Sequence, residues 1–89
     1  MRRDEDQLRL DLHGKHVEEA LEVVARFLDR AMLSGEREVY VIHGHGSGRL
    51  KDAVRSYLAT SPYVAEFRPG HPWEGGDGIT AITLQGDSS

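Results

Sequence analysis

Leu8, Leu10 and Leu12 alternate with Arg9, Asp11 and His13. That period of two predicts a half-buried strand, closed by Gly14. Val17, Leu21, Val24, Leu28 and Ala31 follow at steps of four and three, with Ala20, Phe27 and Met32 widening the stripe. This is the spacing of an amphipathic helix, and Ser34-Gly35 is its stop. Val39 to Ile42 is a continuous apolar run, expected of a strand covered on both faces. Leu50, Ala53, Val54, Tyr57 and Leu58 mark a second helix, with Pro62 beyond its end. Tyr63 to Arg68 reads as a third strand, the Gly- and Pro-rich stretch 69–78 as a loop, and Ile79 to Leu84 as a final β-branched strand.

The order βαβαββ predicts an α/β domain. Helical crossovers imply parallel pairing among the first three strands, while the last connection permits an antiparallel one. Ligands of open α/β sheets bind at the carboxyl ends of the strands. Here those ends are Asp11-Leu12-His13-Gly14 and His43-Gly44, so two histidines distant in sequence are expected at one sheet edge.

With 89 residues there is room for one small core. Residues 1–7 read as a charged flexible segment, 8–84 as the domain and 85–89 as a flexible tail. The chain has no cysteine, which excludes disulfides and thiolate metal sites. No run is long enough to span a membrane, and no secretory signal is read at the start, so the expected setting is cytoplasmic. The net charge of −4 argues at first against nucleic acid. Its distribution changes that picture. Residues 39–73 hold Arg49, Lys51, Arg55 and Arg68 against Asp52 and Glu66, a mildly basic region suited to a transient nucleic-acid contact.

That region contains His43-Gly44-His45-Gly46-Ser47-Gly48. The glycines match neither the dinucleotide fingerprint nor the NTP-binding loop. They leave a small nest of N–H groups for one phosphate, or simply a tight strand-to-helix turn. Arg49 and Lys51 open the following helix, where cations are unfavourable unless an anion is expected. Asp11 and His13, two apart on a strand, share a face. They could act as general base and orienter, as metal ligands with His43, or as a solvated edge. Trp73 could stack on a base or cap the core. Four closely spaced histidine or cysteine ligands of a structural zinc site are absent.

Leu10-Asp11-Leu12-His13-Gly14, His43-Gly44-x-Gly46-x-Gly48 with Leu50, and Gly75-Gly76-x-Gly78-x-Thr80 together resemble the three motifs of the Smr (small MutS-related) domain. The likeness covers residues 8–84 and is greatest to the version at the C-terminus of bacterial recombination-suppressing MutS paralogues. The chain would then be an excised domain. The resemblance implies a two-layer α/β sandwich with a four-stranded mixed sheet and two main helices, similar to the C-terminal domain of translation initiation factor three. Two positions depart from the pattern: His45 stands where lysine is common, and His13 where the MutS-linked versions often carry arginine.

The resemblance also implies endonucleolytic nicking of DNA linked to recombination suppression or repair. The alternative is a non-catalytic DNA-, RNA- or ribosome-binding module of a larger MutS-related ATPase. Expected catalytic residues are Asp11, His13 and His43, which are also the candidates for a divalent metal such as Mg or Mn. No organic cofactor is expected. The expected nucleic-acid-binding set is Lys15, Gly44, His45, Gly46, Ser47, Gly48, Arg49, Lys51, Arg68, Gly75 and Gly76. Expected partners are DNA, branched DNA included, RNA or the ribosome, and the ATPase region of a parent chain, with no membrane.

Overall fold

The computed structural model describes residues 8–46 and 48–86. The N-terminal segment 1–7, Ser47 and residues 87–89 of the expected tail lie outside the described residues. The elements are β1 (Arg9–Asp11), α1 (Val17–Leu33), β2 (Glu38–Ile42), α2 (Arg49–Thr60), β3 (Val64–Pro69) and β4 (Ile79–Leu84). Two 3₁₀ turns, Pro72–Glu74 and Gly76–Gly78, join β3 to β4. None of the helices described is long and apolar enough to cross a membrane.

The sheet has the order β1-β2-β4-β3. β1 pairs parallel with β2, and β4 runs antiparallel to both β2 and β3. This corrects the expectation that the first three strands pair with one another, because β4 inserts between β2 and β3. The residues explain the insertion. β4 is buried along nearly its whole length, as an interior strand must be. β3 carries exposed Glu66, ends on Pro69 and has a register irregularity between Val64 and Glu66, features suited to an edge.

Both helices cover one face. Leu12, Val24, Leu28, Val39, Val41, Val54, Leu58 and Ile82 form the core between helices and sheet. Alternation sends Tyr40, Ile79 and Ala81 to the other face, away from the core that α1 and α2 cover, where they form a small cluster with Ile42. The Arg9 guanidinium lies 5.4 Å from the centroid of the Tyr40 ring there. α1 buries Ala20, Val24, Phe27, Leu28 and Ala31, so the residues read as widening the stripe include its deepest members. It ends as Gly35 requires: with φ +75°, Gly35 donates to the Met32 carbonyl and Glu36 to that of Ala31, the paired bonds of a Schellman stop.

The ends of this frame set the site. Leu12 N–H donates to the Ile42 carbonyl at 2.8 Å, carrying the β1–β2 ladder one residue past β1. The N–H groups of His43 and Gly44 both donate to the Gly78 carbonyl, at 3.0 and 2.9 Å. Three segments distant in sequence thus meet at one end of the sheet. At the opposite end, Gln85 donates to the Tyr63 carbonyl at 2.8 Å, so this residue of the expected tail continues the sheet.

Candidate functional site

His13 and the start of the glycine loop meet directly. A Cβ placed on Gly44 would lie 3.5 Å from Cε1 of the His13 imidazole, and one on Gly78 would lie 2.5 Å from Nε2 of His45. Gly78 therefore makes room for the His45 imidazole, while the His13 ring packs beside Gly44 at ordinary contact distance. Gly44 also holds φ +86°, a left-handed conformation that costs any other residue energy. Together these groups border a cleft of about 230 Å³ lined by Arg9, His13, Ile42, Gly44, His45, Glu74, Gly75, Gly78 and Ile79. The cleft opens on the sheet face opposite α1 and α2.

Asp11 supports His13 in two ways. Its Oδ1 accepts the His13 backbone N–H at 2.9 Å and lies 3.9 Å from His13 Nδ1. Both side chains are solvent-exposed. The carboxylate is therefore placed to orient the ring without burying it.

His43 has a different position. Val39 and Val41 belong to the helix-side core, and two residues on, His43 points the same way and is buried. Its Nε2 lies 2.8 Å from Thr80 Oγ1 and its Nδ1 3.3 Å from the Gly44 carbonyl. Arg55 Nε donates to the same Thr80 oxygen at 2.9 Å, and Arg55 Nη1 and Lys51 Nζ donate to the two Asp77 oxygens. Burial lowers the His43 pKa below 6.5, with nearby Arg55 and Lys51 acting in the same direction and Asp77 and the Gly44 hydrogen bond opposing. The hydrogen bonds of Lys51 and then Arg55 hold the Asp77 carboxyl below its usual range.

The expected catalytic trio is thus divided by the sheet. Asp11 and His13 share the open face, and His43 belongs to the polar network beneath it. The three candidates for a metal do not converge, and among the described residues no group of three His, Cys, Asp or Glu side chains is placed to hold an ion.

The expected binding set divides as well. His13, Gly44, His45 and Gly75 border the cleft. Lys15 and Arg49 line a separate open groove at the starts of α1 and α2, and Gly48 is the N-cap of α2. Gly46 is exposed and Gly76 sits in the turn before β4. Three of these groups have partners within the chain. The Gly44 N–H, expected to hold phosphate, is given to Gly78. Lys51, expected to await an anion, is paired with Asp77 of its own chain. Arg68 is bound to Glu74 at 3.1 Å and lies 3.8 Å from Glu38. Arg9 and Glu74 at the cleft, and Arg55 and Asp77 beneath it, were not singled out from sequence. Lys51 and Arg55, four apart on one helix face, carried the only such signal.

Comparison with known proteins identifies the family of this fold. The family model for the Smr domain matches residues 10–85. A protein named endonuclease MutS2 from Anaeromyxobacter sp. (strain Fw109-5) is 51% identical over 77 residues, which are 86% of this chain and 10% of that protein. The crystal structure of the Smr domain of Thermus thermophilus MutS2 superposes with a TM-score of 0.86 at 36% identity, covering 88% of this chain and 98% of that one. YdaL, a stand-alone small MutS-related protein from Escherichia coli, gives a TM-score of 0.82 at 28% identity, covering 89% and 65%. The chain spans about a tenth of the length of the curated MutS2 relatives it matches. With its three motifs gathered at one end of a β1-β2-β4-β3 sheet, the chain belongs to the Smr domain family.

Proposed function

We propose that this domain is a nuclease-type hydrolase that nicks a nucleic-acid backbone, with DNA as its main substrate. In a longer MutS-related ATPase, such nicking would serve to limit recombination. The observation that carries the reading is the approach of the His13 imidazole to Gly44 in the cleft that His45 also borders. Curated relatives named endonuclease MutS2 support the reaction class.

Histidine is the side chain best suited to proton transfer near neutral pH. Asp11, whose Oδ1 accepts the His13 backbone N–H and lies beside its ring, would hold that ring in place as the base. Water attacks phosphorus and gives one proton to His13. The bond from phosphorus to the leaving oxygen breaks as His45 supplies that oxygen with a proton. His43 is a positioning residue, since its ring is hydrogen-bonded below the cleft. Arg9, which lines the cleft, supplies positive charge for the phosphate.

The test is a nicking time course on supercoiled plasmid and on structured RNA, with EDTA and manganese arms. General acid–base catalysis contributes roughly 10²–10⁴-fold. The Asp11→Ala, His13→Ala double variant should lose on the order of that factor while keeping its fold. Equal nicking by this variant sinks the assignment. Retained binding with no cleavage by the parent on any substrate replaces it with the binding-module reading.

A further inference from the structure

The loop between β3 and β4 carries a feature that backbone cleavage does not use. Trp73 is the only tryptophan of the chain. It is 80% exposed, one of two large apolar side chains so exposed among the described residues. It does not cap the core. Instead its ring stacks on His71, with centroids 4.5 Å apart and planes within 14° of parallel. One indole face is covered by the imidazole, and exposure of this size leaves the other to solvent.

The platform is held firmly from below. The Glu74 carboxylate accepts the His71 backbone N–H at 2.7 Å and an Arg68 N–H at 3.1 Å. The Tyr40 hydroxyl reaches its other oxygen at 3.4 Å. Pro72 opens the turn with a fixed φ. Gly70 N–H and Gly76 N–H close the loop onto the carbonyls of Gly76 and His71. A flat ring presented by a braced turn loses little entropy when a second flat ring stacks on it.

Its position gives the ring a partner. Glu74 and Gly75, the next two residues, line the cleft with His13 and His45. We propose that Trp73, backed by His71, is a stacking platform for an unpaired nucleobase flanking the phosphate in the cleft. The domain would then prefer strands with unpaired bases to fully paired duplex. This rests on the nucleic-acid reading above and adds a substrate preference to it. Every base offers a π-face, so the platform selects unpaired structure rather than sequence.

Because the tryptophan is unique, its fluorescence reports on the platform directly. The 89-residue chain is titrated with a single-stranded DNA oligonucleotide, the RNA of the same sequence, the matched duplex and an abasic strand of equal length. Trp73 emission should be quenched by the two single strands and little changed by the abasic strand. Trp73→Ala should weaken single-strand binding by about ten-fold or more, as measured by anisotropy of a labelled strand. Its salt dependence should stay the same, because no phosphate contact is removed. Trp73→Tyr should restore most of the affinity, which a merely structural role for the loop does not predict. Which single strand quenches more identifies DNA or RNA as the source of the base.

Equal affinity of parent and Trp73→Ala overturns stacking and leaves nucleic-acid binding intact. So does equal quenching by the abasic strand. Emission that shifts with protein concentration alone assigns the platform to a second copy of the chain and also overturns the proposal. Failure of both proteins to bind any strand overturns the nucleic-acid reading itself, and stacking with it.

Discussion

His43 Nε2 and Thr80 Oγ1 are joined at 2.8 Å beneath the cleft, linking the end of β2 to the start of β4. One proton arrangement satisfies both His43 ring nitrogens and the Thr80 hydroxyl. Arg55 Nε donates to Thr80, the Thr80 hydroxyl donates to His43 Nε2, and His43 Nδ1–H donates to the Gly44 carbonyl. This is the neutral imidazole. The chain of bonds joins α2 through both strands to the glycine that faces His13.

Thr80→Val should therefore destabilise the fold although it keeps the shape of the side chain. It leaves the His43 ring and the Arg55 Nε without their partner, and an unsatisfied buried polar group costs about 1–3 kcal/mol. Urea unfolding should show a lower midpoint with an unchanged slope. A midpoint equal to that of the parent would mean that the network contributes no net stability.

The same network predicts a pH dependence. Burial holds the folded His43 pKa below the unfolded value of 6.5. Below pH 6.5 the unfolded chain therefore binds a proton that the folded chain does not. The bonds of Asp77 and Glu74 lower their pKa values too, but those carboxylates act in a more acidic window. Stability should be full above pH 6.5 and fall as the pH drops through 6.5 towards the folded value. His43→Gln, which keeps a polar group in place, should flatten the melting temperature across pH 5.5–7. A slope that persists in this variant would assign the effect to another histidine.

Much of this arrangement is legible in the sequence. Leu8-x-Leu10-x-Leu12 and the stripe of α1 fix which faces are buried. The carboxyl ends of the first two strands place His13 near His43-Gly44 from the sequence alone. The position of β4 is not legible, because apolar content does not say which neighbours a strand takes. The division of Asp11 and His13 from His43 was in principle available. Counting by twos from Val39 puts His43 on the helix side, while Arg9-x-Asp11-x-His13 falls on the other. What concealed it was the proximity of the strand ends, which shows that the residues are close but not that their side chains converge. The pairing of Lys51 with Asp77 links residues 26 apart, and only tertiary packing reveals such a contact.

Two glycine substitutions should separate conformation from crowding. Gly44→Ala meets conformation alone, because φ is +86° while the new methyl would lie in ordinary van der Waals contact with the His13 ring, at 3.5 Å. It should cost about 1–2 kcal/mol of stability and reduce nicking. Gly78 has no such φ, and its new methyl meets the end of the exposed His45 side chain at 2.5 Å. Gly78→Ala should therefore displace His45 with little loss of stability. Melting curves and nicking rates for both variants test this. Full activity in Gly78→Ala would remove His45 from the proposed proton transfer.

Asp77 offers the last test, since it neutralises two cations beside the glycine loop. Lys51 and Arg55 both bind its carboxylate. Asp77 is about half exposed, where ion pairs are weak, and Asp77→Asn keeps the side chain's shape and an acceptor oxygen, so the variant should still fold. It releases positive charge next to the α2 N-terminus, where a nucleic-acid backbone would pass. Affinity for a short duplex should rise at low salt. The slope of log K against log salt should steepen by about one to two phosphate contacts, each contributing about 0.9 for B-form DNA. Affinity and slope both equal to those of the parent would mean that the backbone does not approach this side of the loop. A fall in affinity at all salt concentrations would mean that Asp77 acts mainly by bracing the loop that borders the cleft.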